Sequence, residues 1–201
     1  VNIPASVQNV GSYSFSYNDN LETVIFEEGS LLKVIGDRVF SNCDKLKMIT
    51  LPANLEEIGV ATFMHSNLQE VIFEEGSHLQ VIGSQAFRYC KELKVVTLPP
   101  ALKKIEARAF SYSGLERVIF EEGSDLETIG DGAFYLSELE SINIPLGVET
   151  GLDAFKLTGC PEDIFTAGAT IVDCRVTAET ERGTRQQNCE FNTGGDGRSA
   201  R

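Results

Sequence analysis

The string Val-Ile-Phe-Glu-Glu-Gly-Ser begins at Val24, again at Val71 and again at Val118, 47 residues apart each time. A related string follows each copy, at Ile49 to Pro52, Val96 to Pro99 and Ile142 to Pro145. The true unit is therefore about half the period, alternating between roughly 22 and 25 residues. A unit this short cannot enclose its own apolar face, so it must stack on its neighbours. The chain is predicted to fold as a solenoid. Such an architecture offers a long surface rather than a deep cleft, which favours binding or assembly.

Each unit reads as two halves. The first is Leu-x-x-Val-x-Leu, at Leu21/Val24/Phe26, Leu46/Ile49/Leu51, Leu68/Val71/Phe73, Leu93/Val96/Leu98, Leu115/Val118/Phe120 and Leu139/Ile142/Ile144. Its short β-branched centre suits a parallel strand. Pro52, Pro99 and Pro145 end these strands, since proline donates no backbone hydrogen bond. Gly29, Gly76 and Gly123 do the turning in the alternate units. The second half is Leu-x-x-Ile followed by Phe, at Leu32/Ile35/Phe40, Leu55/Ile58/Phe63, Leu79/Ile82/Phe87, Leu102/Ile105/Phe110 and Leu126/Ile129/Phe134, with Val7/Val10/Phe15 as a first copy. The Phe is expected to fill the convex side within short helical or 3₁₀ turns. Gly36, Gly59, Gly83 and Gly130 are expected where the coil bends.

The string Ile-Gly-x-x-x-Phe-x-x-Cys-x-x-Leu, at Ile35 to Leu46 and Ile82 to Leu93, followed by Leu-Pro, resembles the BspA-type leucine-rich repeats. The resemblance covers about residues 2–160. It implies an α/β leucine-rich-repeat solenoid with a parallel β-sheet on the concave face. It also implies a cell-surface or secreted adhesion and recognition protein. The expected division is a solenoid over residues 1–160, a cap over 161–192 and a polar tail over 193–201. The cap is expected as a C-terminal β-hairpin, because Ala169 to Thr177 alternates like a strand and a second strand follows a turn near Gly183. The first strand edge has no comparable cover, so missing upstream repeats or another chain are expected there, in a fragment or processed chain.

Net charge is −13, and the Arg-containing tail is slightly positive, so the repeats carry the acidity. That opposes binding to nucleic acid or an anionic membrane, both of which need a basic face. No apolar run approaches the roughly 18 residues of a membrane span. Cys43 and Cys90 share a slot two coils apart, roughly 10 Å by strand spacing. That is too far for a disulfide, so both are expected as buried thiols. Cys174 and Cys189 lie nearly symmetric about the predicted turn and are expected to pair, with Cys160 nearby. A bonded pair implies an oxidising compartment, hence secretion or surface display. No cofactor motif, phosphate loop or catalytic set is found, and His65 and His78 occupy loop positions without ligand spacing. The chain is not expected to be an enzyme. Glu27/Glu28, Glu74/Glu75 and Glu121/Glu122 form an acidic edge too widely spaced to share one metal ion, so a solvated edge is expected.

The strand positions expected to face the concave side are Thr23/Ile25, Met48/Thr50, Glu70/Ile72, Val95/Thr97, Arg117/Ile119 and Ser141/Asn143. This face is small, flat and partly apolar, with no aromatic ring on which a sugar could stack. A glycan ligand is therefore not expected there, and a protein partner or neighbouring copy is. The expected function is non-catalytic protein recognition or adhesion through this face. The alternative is a structural subunit assembling end to end in an extracellular filament or surface layer.

Overall fold

The structure, a computed structural model, describes residues 1–158 and the backbone of residues 172–173 and 190–191. Each coil contributes one strand to each of two stacks. The first stack holds β1 (Asn2–Ile3), β3 (Ile25–Phe26), β5 (Met48–Leu51), β7 (Glu70–Phe73), β9 (Val95–Leu98), β11 (Arg117–Phe120) and β13 (Ser141–Ile142). These are the predicted Leu-x-x-Val-x-Leu strands. Pairing is parallel, with Thr50 beside Ile72 and Thr97 beside Ile119. Ile49 and Leu51 point inward while Met48 and Thr50 point out, the period-two alternation of a half-buried strand. Hydrogen bonding groups the stack into sheets β1–β3, β5–β7 and β9–β11–β13.

The second half of the repeat corrects the sequence reading. Leu-x-x-Ile forms strands of its own: β2 (Asn9–Val10), β4 (Val34–Ile35), β6 (Glu57–Ile58), β8 (Val81–Ile82), β10 (Lys104–Ile105), β12 (Thr128–Ile129) and β14 (Glu149–Thr150). They make one seven-stranded parallel sheet. No helix or 3₁₀ turn occurs among the described residues, so the expected α/β character gives way to a β-solenoid. The backbone around each Phe alternates instead between ordinary and left-handed conformations, as at Arg38 (φ 54°) and Asn42 (φ 55°). This alternation aims every second N–H at the next coil. Arg38, Phe40 and Asn42 donate to the carbonyls of Val60, Thr62 and Met64, at 2.9, 2.8 and 2.9 Å. A helix would spend those N–H groups within its own turn. Here they tie coil to coil, which is what a stacked repeat needs to satisfy its buried backbone.

Inside these turns the repeated Phe residues form a continuous stack. Ring centroids are 5.5 Å apart for Phe40–Phe63, 5.1 Å for Phe63–Phe87 and 5.1 Å for Phe87–Phe110, and the rings are nearly parallel. Phe40, Phe63, Phe87, Phe110 and Phe134 are fully buried. Such offset rings add to the burial energy of each side chain. Gly59 and Gly83 serve close approach, not bending. A Cβ on Gly59 would sit 2.7 Å from the Gly36 carbonyl carbon, and one on Gly83 the same distance from the Ile58 oxygen. Cys43 and Cys90 are buried free thiols, as expected. Each thiol donates to the carbonyl of the repeated Phe in the preceding coil, Cys43 Sγ to Phe15 at 3.2 Å and Cys90 Sγ to Phe63 at 3.1 Å. Burial pushes the Cys90 thiol up to about 12 and raises that of Cys43.

The Glu-Glu-Gly-Ser string is a turn device. The first Glu accepts a backbone N–H from the preceding coil, Glu27 from Ala5 at 3.1 Å and Glu74 from Ala53 at 3.0 Å. Gly29, Gly76 and Gly123 take left-handed φ of 72°, 73° and 79° with open space around them, so here the expected turning role holds. The Ser hydroxyl then accepts the N–H two residues on, Ser30 from Leu32 at 3.3 Å and Ser77 from Leu79 at 3.4 Å. Beyond the last parallel strand, β15 (Val172–Asp173) pairs antiparallel with β13, and β16 (Glu190–Phe191) pairs antiparallel with β15. The residues between these strands, with Cys160, Cys174, Cys189 and the polar tail, lie outside the described residues.

Candidate interaction face

The outward positions of the first stack lie where the alternation puts them. Ile25, Met48, Ile72, Val95 and Ile119 are exposed, from 36% at Ile72 to 53% at Met48. Thr23, Thr50, Glu70, Thr97, Arg117 and Asn143 are exposed beside them, and Ser141 is half-buried. Register aligns Met48 with Glu70 and Val95 with Arg117 on one line, and Thr50 with Ile72 and Thr97 with Ile119 on the next. The face is thus two outward columns mixing apolar, hydroxyl and single charged side chains.

A shallow groove of about 520 Å³ opens on this face where β7 and β9 fall into different hydrogen-bonded sheets. Glu70, Ile72, Val95 and Thr97 line it, together with Gln69, Lys94 and Glu121. The sequence reading did not single out Gln69 or Lys94. Lys94 lies one residue before the outward-facing Val95, a slot the two-column reading skipped. Its Nζ meets Glu138 at 2.6 Å and Glu116 at 3.1 Å. The Glu138 hydrogen bond, with Glu116 adding to it, raises the Lys94 pKa against a smaller effect of burial. All three side chains are well exposed, so the network fixes position more than it stabilises.

The acidic edge divides into two kinds of residue. Glu27 and Glu74 cap backbone N–H groups, whereas Glu28, Glu75 and Glu122 point to solvent without an ion pair among the described residues. Among those residues no group of three or more His, Cys, Asp or Glu side chains is placed to hold a metal ion. His65 and His78 are exposed, as expected. His65 also stacks on Tyr89 at 4.4 Å, opening an aromatic row on the turn face that continues through Tyr112 and Tyr135. The signal for that row was present in the sequence: Tyr17, His65, Tyr89 and Tyr112 each stand two residues after a repeated Phe.

The repeat pattern of the BspA type leucine rich repeat region matches residues 1–78 and 67–168, in six copies. The chain belongs to the BspA-type leucine-rich repeat family. Among solved structures it is similar to the pneumococcal vaccine antigen PcpA, with 26% identity and a TM-score of 0.63 over 78% of this chain and 47% of that one. It is also similar to a leucine rich cell surface protein from Faecalibacterium prausnitzii, with 26% identity and a TM-score of 0.61 over 78% and 44%. A leucine-rich repeat protein from Eubacterium ventriosum, at 22% identity and a TM-score of 0.69 over 84% and 45%, shares the fold. The chain thus spans less than half the length of each of these relatives. A comparison with curated proteins finds no significant sequence match. No helix among the described residues is long and apolar enough to cross a membrane.

Proposed function

We propose that this BspA-type repeat region is a non-catalytic recognition module of a secreted or cell-surface protein, binding a protein partner through the outward face of the first strand stack. The observation that carries this reading is the set of exposed apolar side chains on one face: Ile25, Met48, Ile72, Val95 and Ile119. Clustered apolar surface with a polar surround marks a site that another molecule covers. Thr50, Thr97 and Arg117 supply the hydrogen-bonding surround. The groove between β7 and β9 gives the flat face one place into which a partner side chain can be seated. The cell-surface description of the Faecalibacterium relative supports an extracellular setting.

The test pairs two substitutions, Ile72→Asp and Ile119→Asp, in capture assays against purified extracellular proteins. Both side chains point out of the sheet, so the melting temperature should stay close to that of the wild type. Captured partner should fall at least tenfold, the cost of placing an unpaired charge in a desolvated contact. Capture that is unchanged in the double variant removes this face as the site.

A further inference from the structure

The two outward columns of the strand face carry no aromatic ring, but the turn face has a row of them, and it holds a second pocket. A depression of about 490 Å³ lies there, within the range of small-molecule sites. Arg88, Arg108, Tyr112 and Tyr135 form much of its lining, with Asp131 and Asp153 at its acidic side. The pocket has a sequence cause. The slot two residues before the repeated Phe carries Tyr13, Arg38, Ala61, Gln85, Arg108 and Asp153, but glycine at Gly132. A Cβ at Gly132 would lie 3.5 Å from both Arg108 Cγ and Tyr135 Cβ, so the missing side chain leaves the space between them open.

Among the described residues, the charged groups of this pocket are left incompletely matched. Arg88 is held rigidly. Its guanidinium lies over Tyr89 at 4.7 Å and Tyr112 at 5.4 Å, with hydrogen bonds to Gln85 Oε1 at 3.0 Å and the Tyr89 hydroxyl at 3.1 Å. Its Nε is buried and has no acceptor among the described residues. Among the described residues neither Arg88 nor Arg108 pairs with a carboxylate, in a chain of net charge −13. Across the pocket, Asp131 accepts the Leu152 N–H through Oδ1 at 2.8 Å, and both Asp153 oxygens accept from Lys156 Nζ, itself at the pocket wall, at 3.2 and 3.3 Å. The remaining carboxylate lone pairs call for hydroxyl donors, while the guanidiniums call for an anion.

We propose that this pocket binds a saccharide whose ring carries an anionic group, a carboxylate or a sulfate. The anionic group meets Arg88 and Arg108, ring hydroxyls donate to Asp131 and Asp153, and the sugar's C–H surface lies against Tyr112 and Tyr135. An acidic peptide would match the arginines, but it brings few hydroxyl donors and would face both aspartates. The site lies outside the strand face, so it stands or falls independently of the protein-binding reading.

The test is calorimetric titration of the whole chain with 3′-sialyllactose, a sulfated disaccharide, lactose and a tetraglutamate peptide. At least one of the two acidic saccharides should bind saturably, and the one that does identifies the anionic group. Lactose and the peptide should bind at least about tenfold more weakly, the loss of one charge-assisted contact or of the hydroxyl set. Arg108→Gln removes an exposed charge that has no ion pair among the described residues. Gly132→Gln fills the pocket, and Gln85 already occupies the equivalent slot at φ 60°. Each variant should weaken acidic-saccharide binding at least about tenfold while keeping the wild-type thermal transition. No saturable acidic saccharide, lactose or tetraglutamate binding as tightly, or full binding by folded Arg108→Gln, would each overturn the proposal.

Discussion

The Glu74 carboxylate accepts the Ala53 backbone N–H at 3.0 Å, whereas for Glu121, in the same slot two coils later, the residue equivalent to Ala53 is Pro100, which has no N–H to give. Two copies of one motif thus differ in what their first Glu can do. Glu74→Ala should lower stability by about 0.5–1.5 kcal/mol, the net worth of an intramolecular hydrogen bond. Glu121→Ala should stay within about 0.5 kcal/mol of the wild type. Urea titration of both variants checks this. Equal losses would show that the motif acts through charge and not through the cap.

The Phe stack sets the next expectation. Phe87 is fully buried between Phe63 and Phe110, each at 5.1 Å. Phe87→Ala should cost about 3–5 kcal/mol, because both flanking rings lose contact and the coils cannot close the gap. Phe15 stacks on Phe40 at 5.6 Å and is only partly buried, so Phe15→Ala should cost clearly less. Denaturant midpoints would show the difference, and equal costs would argue against a stack that couples neighbouring coils.

The fate of each expectation follows from what a side-chain pattern can encode. Val24, Val71 and Val118 recur with alternating polar neighbours, and that alternation fixes an inward and an outward side of a strand. It therefore placed Ile72 and Ile119 on the exposed face. The backbone between Ile35 and Leu46 carries no such rule. Left-handed residues there are Arg38 and Asn42, and their counterparts are Ala61, His65, Gln85 and Tyr89, a set with no common chemistry. What holds them is the hydrogen bond to the next coil, a tertiary cause that no single repeat displays. The same limit applied to Gly59, whose role depends on where Gly36 lies in the adjacent coil. The candidate groove was half legible: Ile72 and Thr97 follow from alternation, but the sheet division between β7 and β9 does not.

His65 gives the fold a pH-dependent element. Partial desolvation of this largely exposed ring lowers its pKa, and the nearby Arg88 and Lys91 charges lower it further, opposed by Asp44. The folded protein therefore binds this proton less readily than the unfolded chain, whose His titrates near 6.5. The stabilisation is complete above that value and is lost as pH falls through the lower folded value. His65→Phe keeps a ring for Tyr89 and removes the titration. Between about pH 7.5 and 5.5 the wild type should lose more melting temperature than His65→Phe, since only the wild type has a histidine at position 65 to take up a proton. Identical losses would remove His65 as the source.

The last expectation concerns the C-terminal strands. Register pairs Val172 with Phe191 and Asp173 with Glu190, so the next step of the same count reaches 174 and 189. Both positions are cysteines, and both lie outside the described residues. We propose that they form a disulfide that secures β15 and β16 as a cap on the last coil. In the chain-entropy account a loop of this length stabilises by about 3 kcal/mol. Peptide mapping of the non-reduced protein should find Cys174 linked to Cys189, and Cys43 and Cys90 as thiols that alkylate only after unfolding. Reductant should then speed hydrogen exchange around β13 before it affects β7, because β15 pairs with β13. Five free thiols, or exchange at β13 indifferent to reductant, would reject the bond and with it the argument for an oxidising compartment.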